Sequence, residues 1–203
     1  MAKKFTEEEK RFIRQKLLTE GKRLFEVHGL QKTSIGELTK KAGIAQGTFY
    51  QFFSSKEELY FDIIEQEEQA IQRELVDQIA TARLTKSSFV HFLQQAIYSL
   101  EKSPILHQLH DELTMALLMR KLPEEKLAMN HQRDADFLLP LIERWQTEGQ
   151  MQKLPPDVII GMIRALVLLA LQKNAIGEDV YEEAMAQFIQ MMADSLVLEE
   201  DTQ

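Results

Sequence analysis

Gln46, Thr48 and Gln51 stand close together, uncharged and able to donate and accept hydrogen bonds, with Tyr50 among them and Lys40 and Lys41 just upstream. Gln can bond adenine in a bidentate way and Thr suits either kind of base edge, so this stretch has the chemistry of base readout. Lys56 follows Ser55, and Ser55 with Glu58 has capping-box spacing, which puts Lys56 in a first helical turn where N–H groups and dipole favour an anion. His107 and His110, three apart beside Asp111 and Glu112, can share one helix face, either toward a metal such as Zn²⁺ or as polar handles in a pocket. No third ligand accompanies them, and no metal is assigned. Arg164 interrupts the apolar run Val158–Leu171, where a permanent charge must meet a carboxylate, a carbonyl or an anionic ligand. Cysteine is absent, which removes disulfides, thiolate zinc sites and cysteine nucleophiles. No Gly-rich phosphate loop, nucleophile elbow or His/Asp/Ser cluster is present, so neither catalysis nor a cofactor is expected.

The elements that must hold these residues are helices. Of 203 residues only 8 are Gly and 5 Pro, and no sustained period-2 alternation suggests strands, so the fold class is all-α. Thr6 with Glu9 opens a first helix carried by Ile13, Leu17, Gly21, Leu24 and Phe25 to about His28, with Gly29 as its left-handed stop. Ser34 with Glu37 opens a second that Gly43 ends. Gln46 to Phe53 forms a third, and a long helix runs from Ser55 to about Ala80. Further helices follow over 87–102, 104–122 as a broken pair, 123–150, 155–174 and 178–198. Phe49, Phe52 and Phe53 are the aromatic core that closes the first three. Gly47 is there because either a neighbouring helix or DNA passes close.

Net charge sorts these helices. The chain is at −8 overall, yet residues 1–60 hold 12 Lys/Arg against 8 Asp/Glu, and residues 61–203 hold 12 against 24. A basic module precedes an acidic body. Met1 to Lys16 is dominated by charge and offers no secretory leader. The run Val158–Leu171 is shorter than the roughly 20 residues a membrane span needs, so a cytoplasmic protein without a membrane partner is expected.

A short helix, a tight turn and a second short helix inside a basic module is the geometry that lays a helix in the major groove. The stretch from Thr33 to Leu59, with its Ala42-Gly43-Ile44 turn, Gly47, Tyr50, Phe53, Lys56 and Leu59, resembles the TetR family of bacterial one-component repressors nearly residue for residue. Ala45 stands where that family usually has a capping Ser, and Thr39 where it usually has Ala. The resemblance implies a helix-turn-helix DNA-binding domain over residues 1–54 and a helical effector-binding and dimerisation domain over 55–203. It implies that Tyr50 reaches a phosphate through its hydroxyl, and that Thr33, Ser34 and Lys56 grip phosphates from neighbouring helix starts.

For the body, the resemblance implies that the last two long helices pair with their copies in a homodimer, presenting two heads to a palindromic double-stranded DNA operator. Ile159, Met162, Ile163, Leu166, Tyr181, Met185, Phe188 and Met192 supply an apolar stripe compatible with that interface, and the same stripe can serve as internal core. A small, usually hydrophobic effector is implied between head and bundle, where Phe89, Phe92, His107, His110, Met115, Met119, Phe137, Trp145 and Arg164 are the candidate pocket residues. The function expected is a ligand-responsive transcriptional repressor. The alternative is a helical ligand carrier or protein-binding adaptor that does not bind DNA.

Overall fold

The computed structural model describes residues 5–79 and 82–198. Its elements are α1 (Glu7–Lys32), α2 (Ile35–Ala42), α3 (Gln46–Phe49), α4 (Lys56–Ile79), α5 (Lys86–Lys102), α6 (Pro104–His107), a 3-10 turn (Gln108–His110), α7 (Glu112–Lys121), α8 (Glu124–Thr147), α9 (Pro156–Ala170), α10 (Lys173–Ile176) and α11 (Glu178–Leu196). The one extended pairing among the described residues is an antiparallel bridge between Met151 and Val197. Ala80, the expected end of α4, lies outside the described residues. Two compact units emerge, Met1–Glu67 with Pro104–Pro123, and Glu68–Ser103 with Glu124–Gln203. Compactness thus divides the chain differently from the functional division expected at 54/55.

In the first unit, α1 starts on a complete capping box, Glu9 N–H on Thr6 Oγ1 at 3.2 Å and Thr6 N–H on Glu9 Oε2 at 2.8 Å. It buries Ile13, Leu17, Leu18, Gly21 and Phe25. Gly21 marks a close helix crossing: a β-carbon there would lie 3.1 Å from Leu59 Cδ2 and 3.3 Å from Ile63 Cδ1, both on α4. Gly29 breaks the helix at φ 75°, but the chain re-enters helix to Lys32, four residues past the end expected at His28. The α2 start repeats the capping box with Ser34 and Glu37, and Gly43 ends it in the left-handed region at φ 71°. Ile44 N–H bonds Thr39 O and Gly43 N–H bonds Lys40 O, the paired bonds of a Schellman stop. Thr39 spends its hydroxyl inside α2, on Ile35 O at 2.9 Å, so the departure from Ala leaves no polar group exposed to the buried crossing.

The third helix is shorter than the eight residues expected. After Phe49 the chain continues in turns, with Gln51 N–H on Thr48 O and Phe52 N–H on Phe49 O. Ala45 gives α3 no side-chain cap, and Phe49 and Phe53, four apart and at 0% and 2% exposure, both turn into the core, with Phe53 N–H on Phe49 O at 3.1 Å.

A sequence-remote segment completes this unit. Tyr60 is fully buried on α4, its ring edge-on to Phe25 at 5.0 Å. Its hydroxyl lies 3.2 Å from the Ile105 carbonyl and 3.1 Å from Gln108 Oε1, and Gln108 Nε2 donates to Phe25 O at 2.8 Å. Burial raises the Tyr60 pKa, so the hydroxyl stays a donor. Gln108 therefore joins α4 to α1 through two hydrogen bonds.

The second unit packs α5, α8, α9 and α11 with the end of α4 around Trp145, Phe89, Ile159 and Tyr181, all at most 1% exposed. Trp145 meets Phe89 edge-on at 6.3 Å. Of the two uses open to the apolar stripe, internal core accounts for most of it: Ile159, Ile163, Leu166, Tyr181, Met185 and Met192 face the inside of their own chain. Met162 is half-buried, and of that stripe Phe188 alone is well exposed. The apolar side chains that α9 and α11 leave outside include Val158, Leu168, Val180 and Met191.

The Gly21 crossing yields a test of this packing. Gly21→Leu should destabilise the first unit by about 1–3 kcal/mol in urea unfolding, because three side chains already fill the space; an unchanged midpoint would contradict the crossing.

Candidate nucleic-acid interface

The end of α1, the start of α2, α3 and the start of α4 enclose an open concavity of about 530 Å³. Its walls include Lys32, Thr33, Ser34, Gln46, Tyr50, Lys56 and Glu57. Five of the seven residues expected to meet DNA thus converge on one surface from four separate elements. Gln51 and Thr48, exposed and half-exposed on and just after α3, lie outside this concavity.

The roles within the concavity differ from those expected. The Lys56 ammonium is engaged within the chain. Nζ donates to Leu30 O at 2.7 Å, Thr33 O at 2.8 Å and Gln31 O at 3.1 Å, and an ammonium has three donors. Those acceptors are carbonyls at the end of α1, which lack helical partners and carry the negative end of the dipole. Lys56 is a cap for α1 supplied from α4. Thr33 is likewise internal, 1% exposed, with its hydroxyl donating to Gly29 O at 2.8 Å. Ser34 is exposed but occupied by Glu37, whose carboxylate takes both its N–H and its hydroxyl. Those two bonds hold the Glu37 carboxyl below its ordinary pKa, so the capping box stays charged and closed.

Three side chains remain turned to solvent. Tyr50 is 57% exposed, its ring braced edge-on against Phe49 at 5.6 Å. Gln46 is exposed at the first position of α3. Lys32, exposed in the last turn of α1, is the cation that sequence reading missed. Ending α1 at His28 made Lys32 a linker residue; the signal available was its place directly before the Thr33-Ser34 helix start. At the start of α4, Ser55 Oγ accepts from Glu58 N–H, while the Glu58 carboxylate reaches back to Ser54 rather than Ser55.

The residues expected of an effector pocket are divided between the two compact units. Phe89, Phe92 and Trp145 come together in the core of the second unit. Phe137 lines an open concavity of about 310 Å³ with Gln69, Gln72, Arg73 and Val76. Arg164 is half-buried on α9. His107, His110, Met115 and Met119 belong instead to the first unit, where the two imidazole rings stand 4.9 Å apart and Met119 is 59% exposed. They fall there because the Tyr60–Gln108 bonds hold 104–110 against α1 and α4.

The Lys56 geometry makes a distinguishing prediction. Lys56→Met should lower unfolding stability by about 1–3 kcal/mol, since the α1 carbonyls lose a charged donor. It should leave the salt dependence of any DNA binding at its wild-type slope, whereas loss of a phosphate contact would make that slope shallower by about one.

Comparison with known proteins places this corner. Residues 17–63 match the family described as bacterial regulatory proteins, tetR family. The HTH-type transcriptional regulator AcrR of Shigella flexneri is 39% identical over 71 residues, which span 35% of this chain and 33% of that protein. Among solved structures, a TetR-family transcriptional regulator from Pectobacterium atrosepticum shares 21% identity and superposes with a TM-score of 0.71 over 93% of this chain and 94% of the other. The transcriptional regulator FadR of Bacillus subtilis, solved in complex with stearoyl-CoA, gives 0.64 at 14% identity over 88% and 96%. The sequence match thus lies on the helix-turn-helix residues, the chain spanning about a third or less of the length of the curated relatives it matches, and the structural likeness extends over the helical body; residues 17–63 carry a domain of the tetR family of bacterial regulatory proteins.

Proposed function

We propose that the chain is a DNA-binding transcriptional regulator that acts as a homodimer, a repressor released from a palindromic operator by a small hydrophobic effector. The observation that carries the reading is the convergence of Gln46, Tyr50 and Lys32 at one open corner, beside a recognition helix one turn long. Four residues rise about 6 Å, so α3 enters a major groove about 12 Å wide with space for the reach of Gln46 and Gln51. Tyr50 and Lys32 flank it with a neutral and a charged donor for phosphate, which fix register without reading sequence.

The homodimer is supported by what α9 and α11 leave exposed. Val158, Gly161, Ala165 and Leu168 recur along α9, and Val180, Phe188 and Met191 along α11. Gly161 has no atom within 4 Å of a built β-carbon, so its small size fits an approach from outside the chain. Two copies joined there would present two α3 helices, as a palindrome requires.

Effector response is supported by Trp145. It is fully buried beside Phe89 and Phe92, yet its indole N–H meets no acceptor among the described residues. An orphaned buried donor is unfavourable by about 1–3 kcal/mol, a deficit that an acceptor on an otherwise apolar ligand would remove. α4 contributes to both compact units, and a ligand that alters its second half changes the base on which Lys56 holds the corner. The ligand must bind the non-operator arrangement more tightly, and operator must weaken ligand binding by the same factor.

Gel shifts with duplexes enriched by the wild-type chain from a random library test the corner. Tyr50→Phe should weaken binding roughly fivefold through one lost hydrogen bond, and Lys32→Ala should weaken it while making the salt slope shallower by about one. No enrichment at low salt would leave a helical carrier or adaptor as the better reading. Leu168→Glu combined with Met191→Glu should convert the chain to a folded monomer in sedimentation and abolish high-affinity binding; a dimer that survives both charges would refute this interface.

A further inference from the structure

Gly47 stands second in α3, and neither internal reason for a glycine applies to it. Its φ is not positive, unlike those of Gly29, Gly43, Gly149 and Gly177. A β-carbon built on it would meet nothing within 4 Å, whereas one on Gly21 would press on Leu59 and Ile63. Glycine in a helix is penalised relative to alanine because it loses more backbone freedom. A four-residue helix whose preceding Ala45 gives no side-chain cap is poorly placed to absorb that penalty. The fold by itself favours alanine at 47.

We infer that Gly47 is the point where duplex DNA comes closest to the protein main chain, and that its missing side chain sets how deeply α3 seats in the groove. The inference rests on the DNA-binding reading above and assigns one residue a role within it. The residues around Gly47 decide the partner. Gln46, Thr48 and Gln51 are uncharged hydrogen-bonding groups, half-exposed to exposed, while Phe49 is turned inward. A protein-binding patch would instead centre on buried apolar or aromatic anchors. A methyl group projects about 1.5 Å from the main chain, comparable with a carbon–carbon bond. Hydrogen bonds from Gln46 and Gln51 to base edges hold over only about 2.7–3.2 Å, so a standoff of that size breaks them. Phosphate contacts made by longer, mobile side chains such as Lys32 can follow the shift.

The experiment compares Gly47→Ala and Gly47→Leu with wild type on duplexes that the wild-type chain has enriched from a random library, measuring affinity across salt concentrations and the thermal midpoint of each protein. Operator affinity should fall at least tenfold for Ala and further for Leu. The thermal midpoint of Gly47→Ala should be equal to wild type or higher, and the salt slope should not change, since no phosphate contact is lost. Equal affinity for Gly47→Ala would overturn the inference. So would a fall in affinity accompanied by a lower midpoint, which would make Gly47 a residue of the fold. A wild-type chain that enriches no duplex at low salt would remove the DNA reading before the variants are compared, and this role with it.

Discussion

The ammonium of Lys56 closes the end of α1 onto the start of α4, and the open corner proposed to face DNA is built around that closure. Three carbonyls, of Leu30, Gln31 and Thr33, have no helical N–H to accept because Gly29 breaks α1 and Ser34 starts α2. Left bare, they would present a negative dipole end to the surface where phosphates are to be held. Supplying a positive charge from inside neutralises that end and fixes where Ser34 and Tyr50 stand relative to α4. The Gln108 amide does a similar task at the other end of the same stretch, tying Phe25 O to buried Tyr60.

Internal use of cations also sets the electrostatics of binding. The first 60 residues carry an excess of four positive charges, but Lys56 is committed to carbonyls, Arg14 to Asp62 and Lys22 to Glu67. Lys32, Lys40 and Lys41 are exposed cations that remain near the turn. So small a set gives weak non-specific attraction, and the proposed dimer would draw its affinity from a few well-placed hydrogen bonds repeated in a second copy. An acidic remainder, 24 Asp/Glu against 12 Lys/Arg over residues 61–203, works in the same direction. The proposed dimer would on this account be sensitive to the spacing of its two heads, because neither would bind well alone.

Local features were legible in the sequence and long-range ones were not. Thr6 with Glu9, Ser34 with Glu37 and Gly43 act within a few residues, and each cap stands where its spacing put it. Lys56 was read as a phosphate ligand because a lysine in a first turn has that chemistry; its true acceptors lie 23 to 26 residues away, and only the fold brings them near. The length of α3 was overread because no Gly or Pro follows Phe49 to mark a stop; the turns after it still keep Phe49 and Phe53, four apart, together in the core. In α9 nearly every side is apolar, so periodicity carries no information on which side is core; the inward residues were taken for a possible interface, and Leu168, on the outward side, was passed over. The grouping of His107 and His110 with the first unit depends on the Tyr60–Gln108 contact, which no local pattern announces.

Hydroxyl-radical footprinting of the chain on a duplex it has itself enriched is the most direct test that two copies of this corner read DNA. Two protected patches related by two-fold symmetry should appear, their centres separated by about one helical turn or a multiple of it. A single patch without symmetry, or uniform weak protection that vanishes at moderate salt, would contradict a dimer reading two half-sites through α3.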